Sequence, residues 1–209
     1  MADKEPCPGC EKMYQALGTH IAKSDCSWPE LTERQHDLIA GMMLGDGWIN
    51  HHHDTGNPFF AVAMTNYEFL KWFDEQMGVH TTGVKNATGS NGSKKPYYKV
   101  RTRRNPELLE YLEWYPDGEI EYIPVKLNRT IFKMWFVSDG SLCAQDRNAP
   151  YISIGNKIAN NREEYFADLF STIPIAPSRI SETGLAFTSE DSQKLFEYMG
   201  EAPPGFEYK

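Results

Sequence analysis

Residues 39–50 read IAGMMLGDGWIN and residues 132–142 read FKMWFVSDGSL. Each is an apolar run of helical character that stops at a small residue, an aspartate and a glycine, and then passes into strand-like residues. The two aspartates, Asp46 and Asp139, are 93 residues apart. The segments downstream of them repeat as well. After Asp46, GWINHHH and PFFAVAMTN predict two strands around a polar turn, and NYEFLKWFDEQMG predicts an amphipathic helix closed by Gly78. TTGVKNA and PYYKVRTR then read as strands, and NPELLEYLEWY as a helix with Asn105 as cap and Pro106 first in the helix. After Asp139, strands SLCA and YISIGN, helix REEYFADLFSTI, strands SRISET and LAFTS, and a helix SEDSQKLFEYMG capped at Ser189 restate that order. The first signature helix is expected over Leu31 to Gly45, entered through Pro29 and Glu30, and the second from about Val125. Each half is thus αββαββα, and such a repeat implies pseudo-twofold symmetry within one chain. The expected fold class is α+β, two αββαββα repeats with a small N-terminal module, divided as 1–28, 29–124 and 125–209.

The formal charge of −8 over 209 residues argues against a polyanionic partner until its distribution is read. From Lys85 to Arg104 the chain reads KNATGSNGSKKPYYKVRTRR, with seven basic residues and no acid; without them the remainder falls from −8 to −15. A single basic face on an acidic body suits contact with nucleic acid while the back repels it. No window approaches the apolar run of about 20 residues that a membrane helix needs. The start, MADKEPCPGC, is acidic and lacks a signal peptide's apolar region. The protein is therefore expected in the cytoplasm, nucleoid-associated, or in a host-cell cytoplasm if virus-encoded.

Cys7, Cys10, His20 and Cys26 form C-x2-C-x9-H-x5-C, a spacing suited to tetrahedral zinc rather than to disulfides. Only Met13, Tyr14, Leu17 and Ile21 supply apolar surface nearby, so folding of this segment is expected to depend on the metal. Cys143 stands apart and reads as a strand residue of the core.

Gly41 and Gly45 lie four residues apart on one helix face, where missing side chains let a partner backbone approach; Ser138 occupies the place of Gly45 in the second copy. Closely packed helices bring their ends together. A carboxylate at a helix C-terminus meets partial negative charge, and two such carboxylates repel each other. Divalent cations relieve both problems. One GDG or SDG alone is also an ordinary turn; the duplication is the feature that points to metal.

IAGMMLGDG and FKMWFVSDG resemble the two signature helices of single-chain LAGLIDADG homing endonucleases, over roughly residues 31 to 200. The first copy keeps Ala40, Gly41, Asp46 and Gly47; the second keeps Asp139 and Gly140 but has Met134 in place of Gly41. The resemblance implies helices packed at a symmetry axis, with Asp46 and Asp139 holding magnesium and each serving one DNA strand. It also implies short 3′ overhangs and two β saddles along the major groove. Asn66, Asn156 and Lys126 become candidates for organising water or phosphate near the metal; the two asparagines read equally well as helix caps, and Lys126 as an exposed residue. Tyr97, Lys99, Arg101 and Arg103 alternate outward on one strand, and Lys94, Lys95, Arg104, Trp48, Asn50, His51, His52, Gln145, Arg147 and Lys157 extend the expected DNA surface. The resulting expectation is a monomeric, magnesium-dependent, site-specific double-strand DNA endonuclease with a zinc module. The alternative is a LAGLIDADG-derived DNA-binding regulator or RNA splicing maturase without cleavage.

Overall fold

A computed structural model describes residues 4–51, 56–87, 96–114, 125–143, 150–155, 163–181 and 184–207. The chain opens with a small hairpin, β1 (Glu5–Pro6) and β2 (Met13–Tyr14), and a short helix α1 (Leu17–Lys23). The first repeat contains α2 (Glu33–Met43), β3 (Trp48–Asn50), β4 (Phe59–Met64), α3 (Tyr67–Met77), β5 (Lys85–Ala87), β6 (Tyr97–Arg101) and a 3-10 helix, Pro106–Trp114. The second contains α4 (Arg129–Asp139), β7 (Gly140–Cys143), β8 (Tyr151–Gly155), α5 (Glu163–Leu169), β9 (Arg179–Ser181), β10 (Gly184–Ala186) and α6 (Ser189–Met199). Two four-stranded antiparallel sheets share one topology, β3-β4-β6-β5 and β7-β8-β10-β9. The repeat legible in the sequence is present in three dimensions. No helix among the described residues is long and apolar enough to cross a membrane.

Helix starts differ from expectation where a side chain outcompetes simple pattern. α2 begins after Thr32 rather than at Leu31, because Thr32 and Gln35 form a reciprocal capping box, with Thr32 N donating to Gln35 Oε1 at 3.0 Å. α4 begins after Asn128, whose Oδ1 accepts from Thr130 N and Ile131 N at 2.9 Å each. The cap of α6 is Thr188, with Ser189 its first residue. Asn105 does cap the segment after it, accepting from Glu107 N at 3.0 Å, but that segment winds as 3-10 helix.

In α2 every residue from Leu38 to Met43 is buried, and in α4 Ile131, Phe132 and Met134–Val137 are. Helices buried on every side must be packed on every side, and these two pack on each other. Asn128 Nδ2 donates to Asp37 Oδ2 at 2.8 Å at their N-terminal ends. A Cβ placed on Gly41 would stand 2.5 Å from Ile131 O and from Met134 Cβ, and one on Gly45 would overlap the Ser138 side chain. The contacts advance together, so the helices run parallel, and equivalent positions meet: Gly41 with Met134, Gly45 with Ser138. This is how an interface about a twofold axis is built. Met134 stands where the second signature lacks glycine because its side chain fills the space that Gly41 vacates.

The C-terminal segment crosses from the second repeat to the first. Arg129 and Lys133 donate to the carbonyls of Met199 and Glu201 at 3.1 and 2.9 Å, Asn66 Nδ2 donates to Gly205 O at 2.6 Å, and Phe206 meets Phe69 edge-on at 5.2 Å. Phe206 is only 6% exposed. Phe206→Ala is expected to lower stability by about 3 kcal/mol, read as a shift in the urea midpoint at unchanged slope; an unchanged midpoint would remove this segment from the core.

Candidate functional site

At the foot of α2, Gly45 N and Gly47 N both donate to Met42 O, at 3.1 and 2.8 Å, curling the chain sharply into β3. A side chain on Gly47 would collide with the Phe60 ring at 2.6 Å. This turn leaves Asp46 exposed at the end of the helix. Asp139 is the last residue of α4, half-buried, with its carboxylate carbon and Oδ2 each 3.4 Å from the Cβ position of Gly155. Its backbone nitrogen lies 3.4 Å from the Cβ position of Gly45. The two aspartates therefore stand on adjoining feet of equivalent helices. Each carboxylate sits at the negative end of its helix dipole, a location that favours cations.

The sheets continue outward from this point. In β6, Val100 is buried and Tyr98 packs against the core, so Tyr97, Lys99 and Arg101 occupy the other face. Lys99 pairs with Ala63 on one side and Lys85 on the other, and Arg101 with Ala61, which also faces Trp48. β3 itself begins two residues after Asp46, at Trp48. Lys99 Nζ lies 4.8 Å from the Trp48 ring centroid, and the Arg101 and Arg104 guanidiniums each lie 5.7 Å from the Phe59 ring. Like charges placed directly across a sheet, as Lys85 and Lys99 are, destabilise it unless an anion lies over them. At the equivalent level of the second sheet stand two glycines, Gly155 paired with Gly184.

In the N-terminal module the ligand atoms of Cys7, Cys10, His20 and Cys26 all lie within 4.8 Å of one another. A tetrahedron with bonds of about 2.3 Å separates its ligand atoms by about 3.8 Å, so the cluster fits such a site. Glu11 adopts φ 61 inside a tight knuckle in which Glu11 N donates to Cys7 O at 2.8 Å and Cys7 N to Lys12 O at 2.9 Å. The His20 ring stacks on Tyr14 at 3.7 Å, with Nε2 3.5 Å from Cys10 Sγ. A hydrogen bond from the Lys12 backbone, aided by those from Cys7, His20 and Tyr14, pulls the Cys10 thiol down to about 6, so at neutral pH it would offer a metal the thiolate.

Several expected site residues have other work. Arg103, past the end of β6, ion-pairs with Glu5, donates from Nε to Val79 O at 2.9 Å and lies 4.6 Å from the Trp28 ring. With its side chain 16% exposed, it clamps the N-terminal module to the first sheet instead of facing outward with Lys99 and Arg101. Arg103→Gln is expected to free the module, so that limited proteolysis cuts between residues 24 and 32 at least about tenfold faster, with residues 33–207 protected. Arg104 turns to Asn57 O at 2.8 Å, and His51 Nε2 lies 3.1 Å from Gly56 O in the β3–β4 connection; Asn50 pairs with Phe59. Asn66 is the cap of α3, accepting from Phe69 N at 3.1 Å while donating to Gly205 O, so both ends of its amide are engaged. Lys126 corrects the sequence expectation: it is exposed ahead of the N-terminus of α4, whereas Asp139 ends that helix, about 16 Å away along the axis. Cys143 is half-buried at the end of β7 rather than in the core. His52, Lys94, Lys95, Gln145, Arg147, Asn156 and Lys157 lie outside the described residues. Sequence reasoning reaches Lys99 as a groove residue only; that its ammonium lies over Trp48, two residues past Asp46, comes from the packing of the sheet, which residue types do not reveal.

Paired helices on a pseudo-twofold axis, each ending in an aspartate and flanked by a four-stranded saddle, define a two-repeat α+β scaffold with a candidate metal centre on the axis. Residues 36–171 match the model of the LAGLIDADG DNA endonuclease family, and the chain belongs to that family. Among solved structures, the homing endonuclease I-WcaI bound to its DNA recognition sequence aligns with a TM-score of 0.71 at 13% identity, over 87% of this chain and 88% of that one. That likeness is one of fold. The N-terminal LAGLIDADG domain of DUF199/WhiA gives 0.47 at 15% identity, over 85% of this chain and 87% of that one. I-DmoI in complex with DNA and Mn gives 0.45 at 13%, over 79% and 96%. A comparison with curated proteins gave no match.

Proposed function

We propose that the chain is a site-specific double-strand DNA endonuclease that acts as a monomer, with magnesium held by Asp46 and Asp139 and zinc held by Cys7, Cys10, His20 and Cys26. The observation that carries the reading is the pairing of two aspartates on adjoining, equivalent helix feet, the first of them followed directly by a sheet with a cationic outer face. Carboxylate oxygens are the donors magnesium takes. Bound there, magnesium supplies water activation and charge stabilisation at the leaving oxygen. The chain's own part is geometric and electrostatic. Gly41 and Gly45 let the helices approach closely enough for the two aspartates to address opposite strands, and a staggered cut with short 3′ overhangs is the product this reading requires. Lys99, whose ammonium lies over Trp48 two residues past Asp46, offers it to a phosphate; it replaces Lys126 as the basic residue proposed near the centre. Trp48, Tyr97 and Arg101 face the major groove, and the chain is read as three parts, 1–28, 29–124 and 125–209.

A regulator or maturase without cleavage is the second reading. The observation in its favour is the glycine pair, Gly155 and Gly184, where the first sheet has Lys99. Duplexes retained from a random library in EDTA separate the two readings when magnesium is added to the complexes. Cut ends are expected; intact duplexes that stay bound would move the assignment to the second reading.

A further inference from the structure

The Cys3His module sits at the margin of the outward face of the first sheet. Although β6 ends at Arg101, backbone pairing runs on past it: Thr82 N donates to Arg101 O at 3.2 Å, Thr81 bridges to Thr102, and Arg103 N donates to His80 O at 2.6 Å. Thr102 is buried, so Arg103 comes up on the side of Lys99 and Arg101. Its guanidinium is nevertheless drawn aside and covered. It pairs with the Glu5 carboxylate and lies 4.6 Å from the Trp28 ring, and both partners belong to the module segment. The seating is narrow. An open groove of about 750 Å³ parts Gly18 and Ile21 of the module from Asn57 and Arg104, and another of about 680 Å³ opens around Glu5, Val79, Lys85 and Arg103.

The module's charge is the reverse of a DNA reader's. Residues 1–28 hold three lysines against four acids, and three thiolates around a divalent ion leave one negative charge more. Its helix α1 has one lysine and no arginine. Hold on the DNA backbone comes from Lys and Arg, so a net acidic module seated on an arginine of the basic strand competes with phosphate for it. We infer that the metal-loaded Cys3His module is a mask on the DNA face and not an added reader: the Glu5 carboxylate occupies Arg103 in place of a phosphate, and the metal keeps the mask folded. This rests on the DNA-binding reading of the sheet and on the metal-binding reading of the cluster, though not on cleavage. With so few apolar residues of its own the module unfolds when the metal leaves, and Arg103 is then released to duplex of any sequence.

The test uses the full chain and a duplex of arbitrary sequence, with binding measured over a series of salt concentrations in the absence of magnesium. Zinc-loaded Glu5→Gln and zinc-stripped wild type are each expected to bind on the order of tenfold more tightly than zinc-loaded wild type at low salt, with the slope of log K against log salt steeper by about 0.9, the mark of one more phosphate contact. Glu5→Gln keeps all four metal ligands and alters a half-exposed side chain, so its gain cannot come from unfolding. In Arg103→Gln, stripping zinc should change neither quantity. An unchanged or shallower slope in either unmasked form, or a steepening that persists in Arg103→Gln, would overturn the inference while leaving DNA binding in place. Failure of zinc-loaded wild type to retain any duplex from a random library would overturn the DNA reading itself and this inference with it.

Discussion

Asp46→Asn and Asp139→Asn are each expected to reduce double-strand cleavage by on the order of 10³-fold or more, the scale of losing one charge-stabilising group at a reacting centre. Asparagine keeps the shape and removes the charge. Both carboxylates stand at C-terminal ends, where negative charge is unfavourable to the helix dipole. Thermal stability should therefore hold or rise slightly while cleavage falls. Because each aspartate belongs to one repeat, a single variant should convert supercoiled plasmid carrying the site to the nicked form or leave it uncut, and the double variant should leave it uncut. Linear product at the wild-type rate from either variant would sink the assignment of the metal centre.

Gly41→Val is the substitution expected to cost the fold most, about 3 kcal/mol or more, at the upper end of overpacking penalties. The reason is the identity of the obstruction. An added Cβ on Gly41 meets the backbone oxygen of Ile131 and the Cβ of Met134, both at 2.5 Å, and a backbone oxygen in a helix has nowhere to go. Gly45→Ala meets the Ser138 side chain, whose hydroxyl can rotate away from its present hydrogen bonds to Met134 O and Trp135 O at 3.0 Å each, but whose Cβ, 2.6 Å away, moves only with its helix. It should cost about 2 kcal/mol. Urea unfolding should thus rank Gly41→Val far below Gly45→Ala, and Met134→Gly, which removes the opposing Cβ, should recover part of the loss when combined with Gly41→Ala. The reverse ranking, or a fully stable Gly41→Val, would contradict helix contact through equivalent positions. Cleavage should fall with Gly41→Val even at temperatures where the protein stays folded, because separating the helices separates the aspartates.

Much of this architecture is legible in the residues alone. The two signature runs, the repeated order of elements and the Cys3His spacing are local patterns, and each survives in the fold. The alternation on β6 is readable as far as Arg101 and fails at Arg103, because the strand ends and the chain turns toward a module whose docking site residue types do not announce. Asn66 carries an ambiguity that only its partners resolve: Phe69 N is local, whereas Gly205 O lies 139 residues away. Lys126 misleads because nearness in sequence to a signature helix is not nearness to its foot; a helix carries its two ends far apart. The crossing C-terminal segment with Phe206 carries no periodic signal at all, being held by backbone carbonyls and by a ring that joins the core beside Phe69.

The most direct test of the central claim is cleavage of a randomised duplex library by the purified protein, with and without magnesium, with sequencing of both ends of every break. The expected result is breaks in magnesium only, drawn from one long sequence, with both strands cut at a short stagger. Enrichment of bound sequences with no broken ends under any divalent metal would contradict it, and would leave Asp46 and Asp139 as parts of a binding scaffold.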